Sequence, residues 1–486
     1  MTKKLELVFV PLPAIGHIVS TVEFAKLLVG RDGRFSITLL IMKGPIMHTA
    51  VTNYIHSVSA SLSGSIRFVH LPHLDSDSSN SNPSSPSPSS FFHDVMERQK
   101  SLVRDAVHQL ILSEPGRLAG IVVDMLCAYM MDVAVELGVP SYVFFTSSAA
   151  CLALMFHLQT LQDHQGVDLT EFADSDAELV VPGFVNSVPA RVLPALWVDK
   201  EGEASTAFLR EARRVREAKG ILVNTFMELE SHVINSFANG TIPPVYTVGP
   251  LLKLNHGDHQ KQDSDSDVIR WLDDQPQSSV VFLCFGSDGA FHDDQVKNIA
   301  SGLENSGYRF LWSLRRPPPK GMIADSSDYT NFEEVLPKGF LNRTSEIGKI
   351  IGWAPQTDVL AHSAIGGFIS HCGWNSTLES IWHGVPIATW PIYAEQQLNA
   401  FQIIRELEMG VEIKIDYNKH RNNDLINSQE IESRIRSLMD DSKDFRKKLA
   451  YMKEKGTKAL MEGGSSNSSI QRLIGDMITN FSGSKC

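Results

Sequence analysis

His17 closes the stretch LELVFVPLPAIGH, and Asp124 closes the apolar run GIVVD. An imidazole exchanges a proton near neutral pH, so a histidine at the mouth of a strand is able to act as base toward a hydroxyl. A carboxylate bonded to its other nitrogen would fix the tautomer and stabilise the imidazolium. The two residues meet only if both runs are strands of one parallel sheet, because ligands of such sheets gather beyond the carboxyl ends of the strands. Taken singly, His17 reads as an exposed loop residue and Asp124 as a cap, and the spacing leaves that open.

A second concentration of polar groups is HCGWNS, residues 371–376, between the apolar run AIGGFIS and the helical pattern TLESIWHG. A helix start offers unsatisfied N–H groups and partial positive charge, which suits a phosphate. Asn375 or Ser376 serving as an N-cap would account for the same residues. Around this turn stand Trp353 of WAPQ, able to stack on a base, and Glu379, one helical turn beyond Ser376. A carboxylate there can accept two hydrogen bonds from a ribose diol. The stretch WPIYAEQQ supplies an acid–amide pair. A core tryptophan and an exposed helix glutamate are the plain alternatives. The DSD triplets at 75–77, 174–176 and 263–267 sit among serines and other polar residues and read as solvated loops, so no metal site is expected.

Positioning such groups requires a scaffold, and its elements are visible. LELVFVPL, FSITLLIM, SIRFVHL, GIVVD, SYVFF and GILVNT precede a second set, SVVFLCFG, RFLWSL, GKIIGW, AIGGFIS and VPIATW. Continuous apolarity marks parallel strands covered on both faces. HIVSTVEFAKLLVGR has the helical spacing of a crossover. Two sets of βα units imply an α/β protein with two doubly wound, Rossmann-like domains. The polar, acidic segment 254–267 reads as the linker between residues 1–253 and 268–463, and DSDSSNSNPSSPSPSS (75–90) as a long surface loop.

A chain of 486 residues exceeds one ordinary core, and 43% hydrophobic with 21% charged residues is usual for a soluble globular protein. A net charge of −12 argues against a nucleic-acid partner, so an anionic ligand has to be held by local geometry. The five scattered cysteines suggest neither a disulfide framework nor zinc, and fit a reducing, cytoplasmic setting. Glu6 and the prolines that follow speak against a signal peptide. Asp124, Asp132 and Glu136 interrupt the longest apolar region, so no membrane span is expected.

Residues 353–396, WAPQTDVLAHSAIGGFISHCGWNSTLESIWHGVPIATWPIYAEQ, resemble the signature box of plant family 1 UDP-glycosyltransferases over its whole length. PAIGH, GILVNTFMELE, VYTVGPLL, SVVFLCFGS and LPKGF extend the likeness along the chain, toward the branch acting on flavonoids and other phenolic or terpenoid aglycones. The resemblance implies the GT-B architecture, two Rossmann-like domains facing across a cleft, with a last helix (464–486) packing back on the first domain. It implies a monomer that binds a UDP-sugar, a small lipophilic acceptor and no obligatory metal. UDP-glucose would be a co-substrate, with no other cofactor.

By the same resemblance Trp353 stacks on uracil, with the Ala354 backbone and Gln356 nearby, and Glu379 holds the ribose. His371, Asn375, Ser376 and Ser287 hold the diphosphate. Trp374, Glu395 and Gln396 contact the sugar, and Thr146 reaches it from the other domain. His17 is the base and Asp124 its partner, and the reaction inverts an α-linked donor to a β-glycoside. A phenol is the acceptor expected first, with triterpenoids or hormones as the alternative. A non-catalytic nucleotide-sugar-binding protein remains the rival of another class. Segments after His17, around Phe91 and Phe92, after Asp124 and around 184–200 are expected to wall the acceptor pocket.

Overall fold

The computed structural model describes residues 4–43, 49–62, 64–72, 88–253, 263–318, 326–417, 425–440 and 442–483. Each apolar run named above forms a strand, and all pairings within the two large sheets are parallel. The first sheet holds β1 (Leu5–Val10), β2 (Phe35–Ile41), β3 (Ile66–His70), β4 (Leu118–Asp124), β5 (Ser141–Phe145), β6 (Ile221–Val223) and β7 (Val245–Thr247), in the order β3-β2-β1-β4-β5-β6-β7. The second holds β8 (Val280–Cys284), β9 (Arg309–Ser313), β10 (Gly348–Ile351), β11 (Ile365–Ser370), β12 (Ile387–Thr389) and β13 (Gly410–Glu412), in the order β10-β9-β8-β11-β12-β13.

Strand order reverses between β1 and β4 in one sheet and between β8 and β11 in the other, and such switch points open crevices at the carboxyl ends. The sheets are apolar on both faces because helices cover both. Phe9 stacks on Phe24 of α1 (Ile15–Arg31), which stacks on Phe144, with centroids 5.9 and 5.4 Å apart. Phe282 stacks on Phe368 across β8 and β11 at 5.3 Å.

Four further helices position polar groups: α2 (Ala149–Gln165), α3 (Gln356–Ala361), α4 (Trp374–His383) and α5 (Gln396–Phe401). The last helix, α6 (Ser465–Gly483), buries Ile470, Leu473 and Met477 against the first sheet. There Tyr246 Oη donates to Asp476 at 2.6 Å and Asn480 Nδ2 to Tyr142 Oη at 3.0 Å. Among the described residues no helix is long and apolar enough to cross a membrane.

The sequence reading needs four corrections. Edge strands β7 and β13, three residues each, were not expected. A helix, Asp263–Asp273, starts within the segment read as linker and runs past its end, and 254–262 lies outside the described residues. Most of the 75–90 loop (75–87) also lies outside them, and a helix starts at Pro88; the side chains of Phe91 and Phe92 are likewise not described. His17, expected between strand and helix, lies in the first turn of α1.

Candidate active site at the facing switch points

Asp124 ends β4 and His17 opens α1 after β1, so the parallel pairing of β1 with β4 brings them together. His17 Nδ1 lies 2.7 Å from Asp124 Oδ2. The carboxylate can only accept, so Nδ1 carries the proton and Nε2 is the nitrogen left to receive one. Asp124 is 2% exposed, and its other oxygen accepts from the Leu126 N–H at 3.0 Å. Burial pushes the His17 pKa down, but the charge and hydrogen bond of Asp124 and the charge of Glu395 outweigh it, so the pKa stands above 6.5. Thr146, expected on the sugar, has its hydroxyl 3.0 Å from the same Nδ1.

Across the cleft, α4 starts after β11. Its cap is Gly373, which offers no side-chain bond, so the N-cap reading of Asn375 and Ser376 is overturned. Both lie inside the first turn, and the helix-start N–H groups lack a side-chain cap. Before it the chain passes through Cys372 at φ +63°, a left-handed conformation that costs a non-glycine residue about 1–3 kcal/mol and is typical of binding turns. Ser370 Oγ accepts from the Cys372 N–H at 3.1 Å, and Asn399 Nδ2 donates to the Cys372 carbonyl at 3.0 Å, which hold the turn.

His371 is 6% exposed, and Gly286 (φ +79°) and Gly373 lie against its ring. A Cβ on either glycine would come within 2.6 Å of Nε2, so neither position has room for a side chain. Burial holds the His371 pKa down at about 4, so the ring is neutral. Its Nδ1 is buried and makes no well-formed hydrogen bond among the described residues, although the Cys284 backbone bears on the ring and partly offsets the burial. Ser287 follows Gly286, and its hydroxyl donates to Asp288 at 3.1 Å.

Two of the residues expected on the ligand also have partners in the first domain. The Trp374 side chain is 3% exposed, and its indole N–H donates to the Asn224 carbonyl of the first domain at 2.7 Å. Asn375 Nδ2 donates to the Gly16 carbonyl at 2.9 Å, and its Oδ1 accepts from Ser20 at 3.1 Å.

At the far end Trp353 is 51% exposed, with the Arg315 guanidinium 5.5 Å from its ring centre. Gln356 Nε2 donates to Glu379 Oε2 at 2.7 Å and to Ser376 Oγ at 2.8 Å, and Thr357 donates to Glu379 Oε1 at 3.1 Å. Burial raises the Glu379 pKa, and these two donors and the Lys253 charge oppose the rise. The buried Ala354 accepts from the Gln356 N–H at 2.9 Å. Gln396, 3% exposed, uses Oε1 to accept from the Ile392 and Tyr393 N–H groups at 2.9 and 3.0 Å. Glu395 accepts from Ser147 at 3.4 Å and is close enough to act on the His17 charge.

Sequence reading passed over Ser20, Ser147 and Glu230. Glu230, 3% exposed, accepts from the Ala149 and Ala150 N–H groups at 2.9 and 2.8 Å and from Gln402 of the second domain at 2.7 Å. A serine on the buried side of an apolar helix, one turn from Gly16, was the available signal for Ser20. Among the described residues no cluster of three or more His, Cys, Asp or Glu is arranged to hold a metal ion.

Comparison with known proteins adds the chemistry's context. The family model for UDP-glucoronosyl and UDP-glucosyl transferase matches residues 235–443. UDP-glucose flavonoid 3-O-glucosyltransferase 6 of Fragaria ananassa is 52% identical, over 99% of this chain and 100% of its own. A solved transferase from Siraitia grosvenorii in complex with UDP is 46% identical with a TM-score of 0.87, covering 98% of this chain and 100% of the other. A Medicago truncatula structure complexed with UDP-glucose is 39% identical with a TM-score of 0.85, covering 98% of each chain.

Proposed function

The chain belongs to the family of UDP-glucoronosyl and UDP-glucosyl transferases, and from that premise we propose an inverting UDP-glucose-dependent O-glucosyltransferase that makes β-glucosides of flavonoids or other small phenolics. The observation that carries the proposal is the His17–Asp124 pair at 2.7 Å, joined through Gly16 and Asn375 to the open start of α4. The flavonoid relative and the UDP-glucose complex support the choice of substrates.

In this reading His17 Nε2 takes the proton of an acceptor hydroxyl as its oxygen bonds to the anomeric carbon. The bond from that carbon to the diphosphate oxygen breaks on the opposite face, so an α-linked donor yields a β-product. A phenol has a pKa near 10, which makes the proton transfer easier than from an aliphatic alcohol. The charge of the departing UDP is taken up by the N–H groups of α4 together with His371, Ser376 and Ser287, preorganised donors rather than a metal ion. Trp353 stacks on uracil, and Glu379 exchanges its present partners for the ribose diol. Glu395, Gln396 and the Trp374 backbone meet the glucose.

The first domain (1–253, with α6) would supply the acceptor side and residues 268–463 the donor side. The cytoplasm is the proposed compartment, which suits the four cysteines among the described residues, all free and buried, and a sequon at Asn375 inside the proposed site. The test is UDP release and product analysis with a panel of phenols and three donors. UDP-glucose should give the highest turnover and a β-linked product. A higher rate with UDP-galactose or UDP-glucuronate, or no transfer to any phenol, would reject the reading.

A further inference from the structure

We infer that Ser20 is a positioning residue for the transfer, acting with Asn375 to set His17 against the donor's diphosphate; this rests on the reading of His17 as base. Ser20 is 1% exposed and lies one turn beyond Gly16 on α1. Its hydroxyl is 3.0 Å from the Gly16 carbonyl and 3.1 Å from Asn375 Oδ1. Asn375 Nδ2 in turn donates to the Gly16 carbonyl at 2.9 Å, so the serine's single proton, shared between that carbonyl and Asn375 Oδ1, closes a small ring across the domains.

The carbonyl at the centre of the ring belongs to the peptide whose nitrogen is that of His17. On the other side, the His17 carbonyl accepts from Thr21 Oγ1 at 2.8 Å, so the backbone of the base is held on both sides. An amide nitrogen has two protons. One goes to Gly16, and the second is left for a diphosphate oxygen at the start of α4. One side chain thereby reads the position of the leaving group and of the base together. The Gly16 carbonyl, which only accepts, already calls for the nitrogen end of the amide. The serine's part is to hold the oxygen end; without it the amide is held across the domains at one point and its plane can tilt away from the base. Gly16 gives the contact its space, since a Cβ there would come within 3.3 Å of Asn375 Nδ2.

The experiment compares wild type, Ser20→Ala, His17→Ala and the double variant with UDP-glucose and a phenol. Ser20→Ala should lower kcat about two- to tenfold, the worth of one neutral hydrogen bond. The KM for UDP-glucose should stay within about twofold, and no further loss should appear in the His17→Ala background, where there is no base left to position. Equal losses in both backgrounds would assign Ser20 to structure alone, and an unchanged kcat would also overturn the inference. Gly16→Ala is the second variant: alanine favours the helix but crowds the amide, so kcat should fall without loss of melting temperature. Full kcat there would count against the ring. A His17→Ala protein with full turnover would sink the base assignment itself, and the inference with it.

Discussion

The starts of α2 and α4 occupy equivalent places, each following a parallel strand at the carboxyl edge of its sheet, yet they are finished in opposite ways. At α2 the protein satisfies its own backbone. Ser148 Oγ accepts from the Cys151 N–H at 3.0 Å, and both oxygens of Glu230 accept from Ala149 and Ala150. At α4 the cap is a glycine with no side-chain bond, preceded by a left-handed cysteine and by a histidine with a ring nitrogen in no well-formed hydrogen bond. A sealed helix start contributes stability, whereas an open one gives up some in exchange for an anion site. On the proposed reading, the difference separates scaffold from site where topology alone would not.

The His17 corner adds a second contrast, with the proposed base held by Asp124 at 2.7 Å. The largest effect should come from breaking that corner while sparing the open start. His17→Ala should reduce turnover by ~10²–10⁴-fold, the usual worth of a general base, with UDP-glucose affinity by calorimetry almost unchanged. Loss of UDP-glucose binding in that variant would make His17 a donor ligand and erase the contrast. Next in size is Trp353→Ala. Removing a stacking platform worth ~1–3 kcal/mol should weaken UDP binding about five- to a hundredfold, with kcat at saturating donor much less affected. An unaltered affinity would mean that the exposed indole serves another surface.

The smallest effect probes the sealed start. Ser148→Ala should cost about 1 kcal/mol in denaturant unfolding, the value of an N-cap, and leave UDP-glucose affinity alone. A donor-binding defect without a stability loss would place the anion site at α2.

Much of the scaffold was legible because parallel strands covered on both faces leave uninterrupted apolar runs, such as GIVVD and SVVFLCFG. β7 and β13 escaped because three residues at a sheet edge carry no such pattern. The polar groups proposed for the donor stood out as a block, since they lie close together between Trp353 and Gln396 on consecutive turns of one domain. The pairing of His17 with Asp124 followed from where their strands end, once both were assigned to one sheet.

What could not be read was direction. The sequence says that Trp374 and Asn375 stand in the turn, but not that an indole N–H would reach Asn224 or an amide Gly16. Those contacts depend on how one domain sits against the other, and no local spacing encodes it. Thr146 shows the same limit: its place after β5 was visible, but its preference for Nδ1 of His17 was not.

The claim that the base is prepared before the donor arrives is tested most directly by an NMR titration of the His17 imidazole in the free protein, wild type and Asp124→Asn. A raised pKa keeps the imidazolium to higher pH, so the neutral, base-competent ring is lost as pH falls through that value. The account predicts a wild-type midpoint above 6.5 and a lower one in Asp124→Asn, where burial is opposed only by Glu395. A wild-type His17 titrating at or below 6.5, or one indifferent to the loss of Asp124, would contradict it.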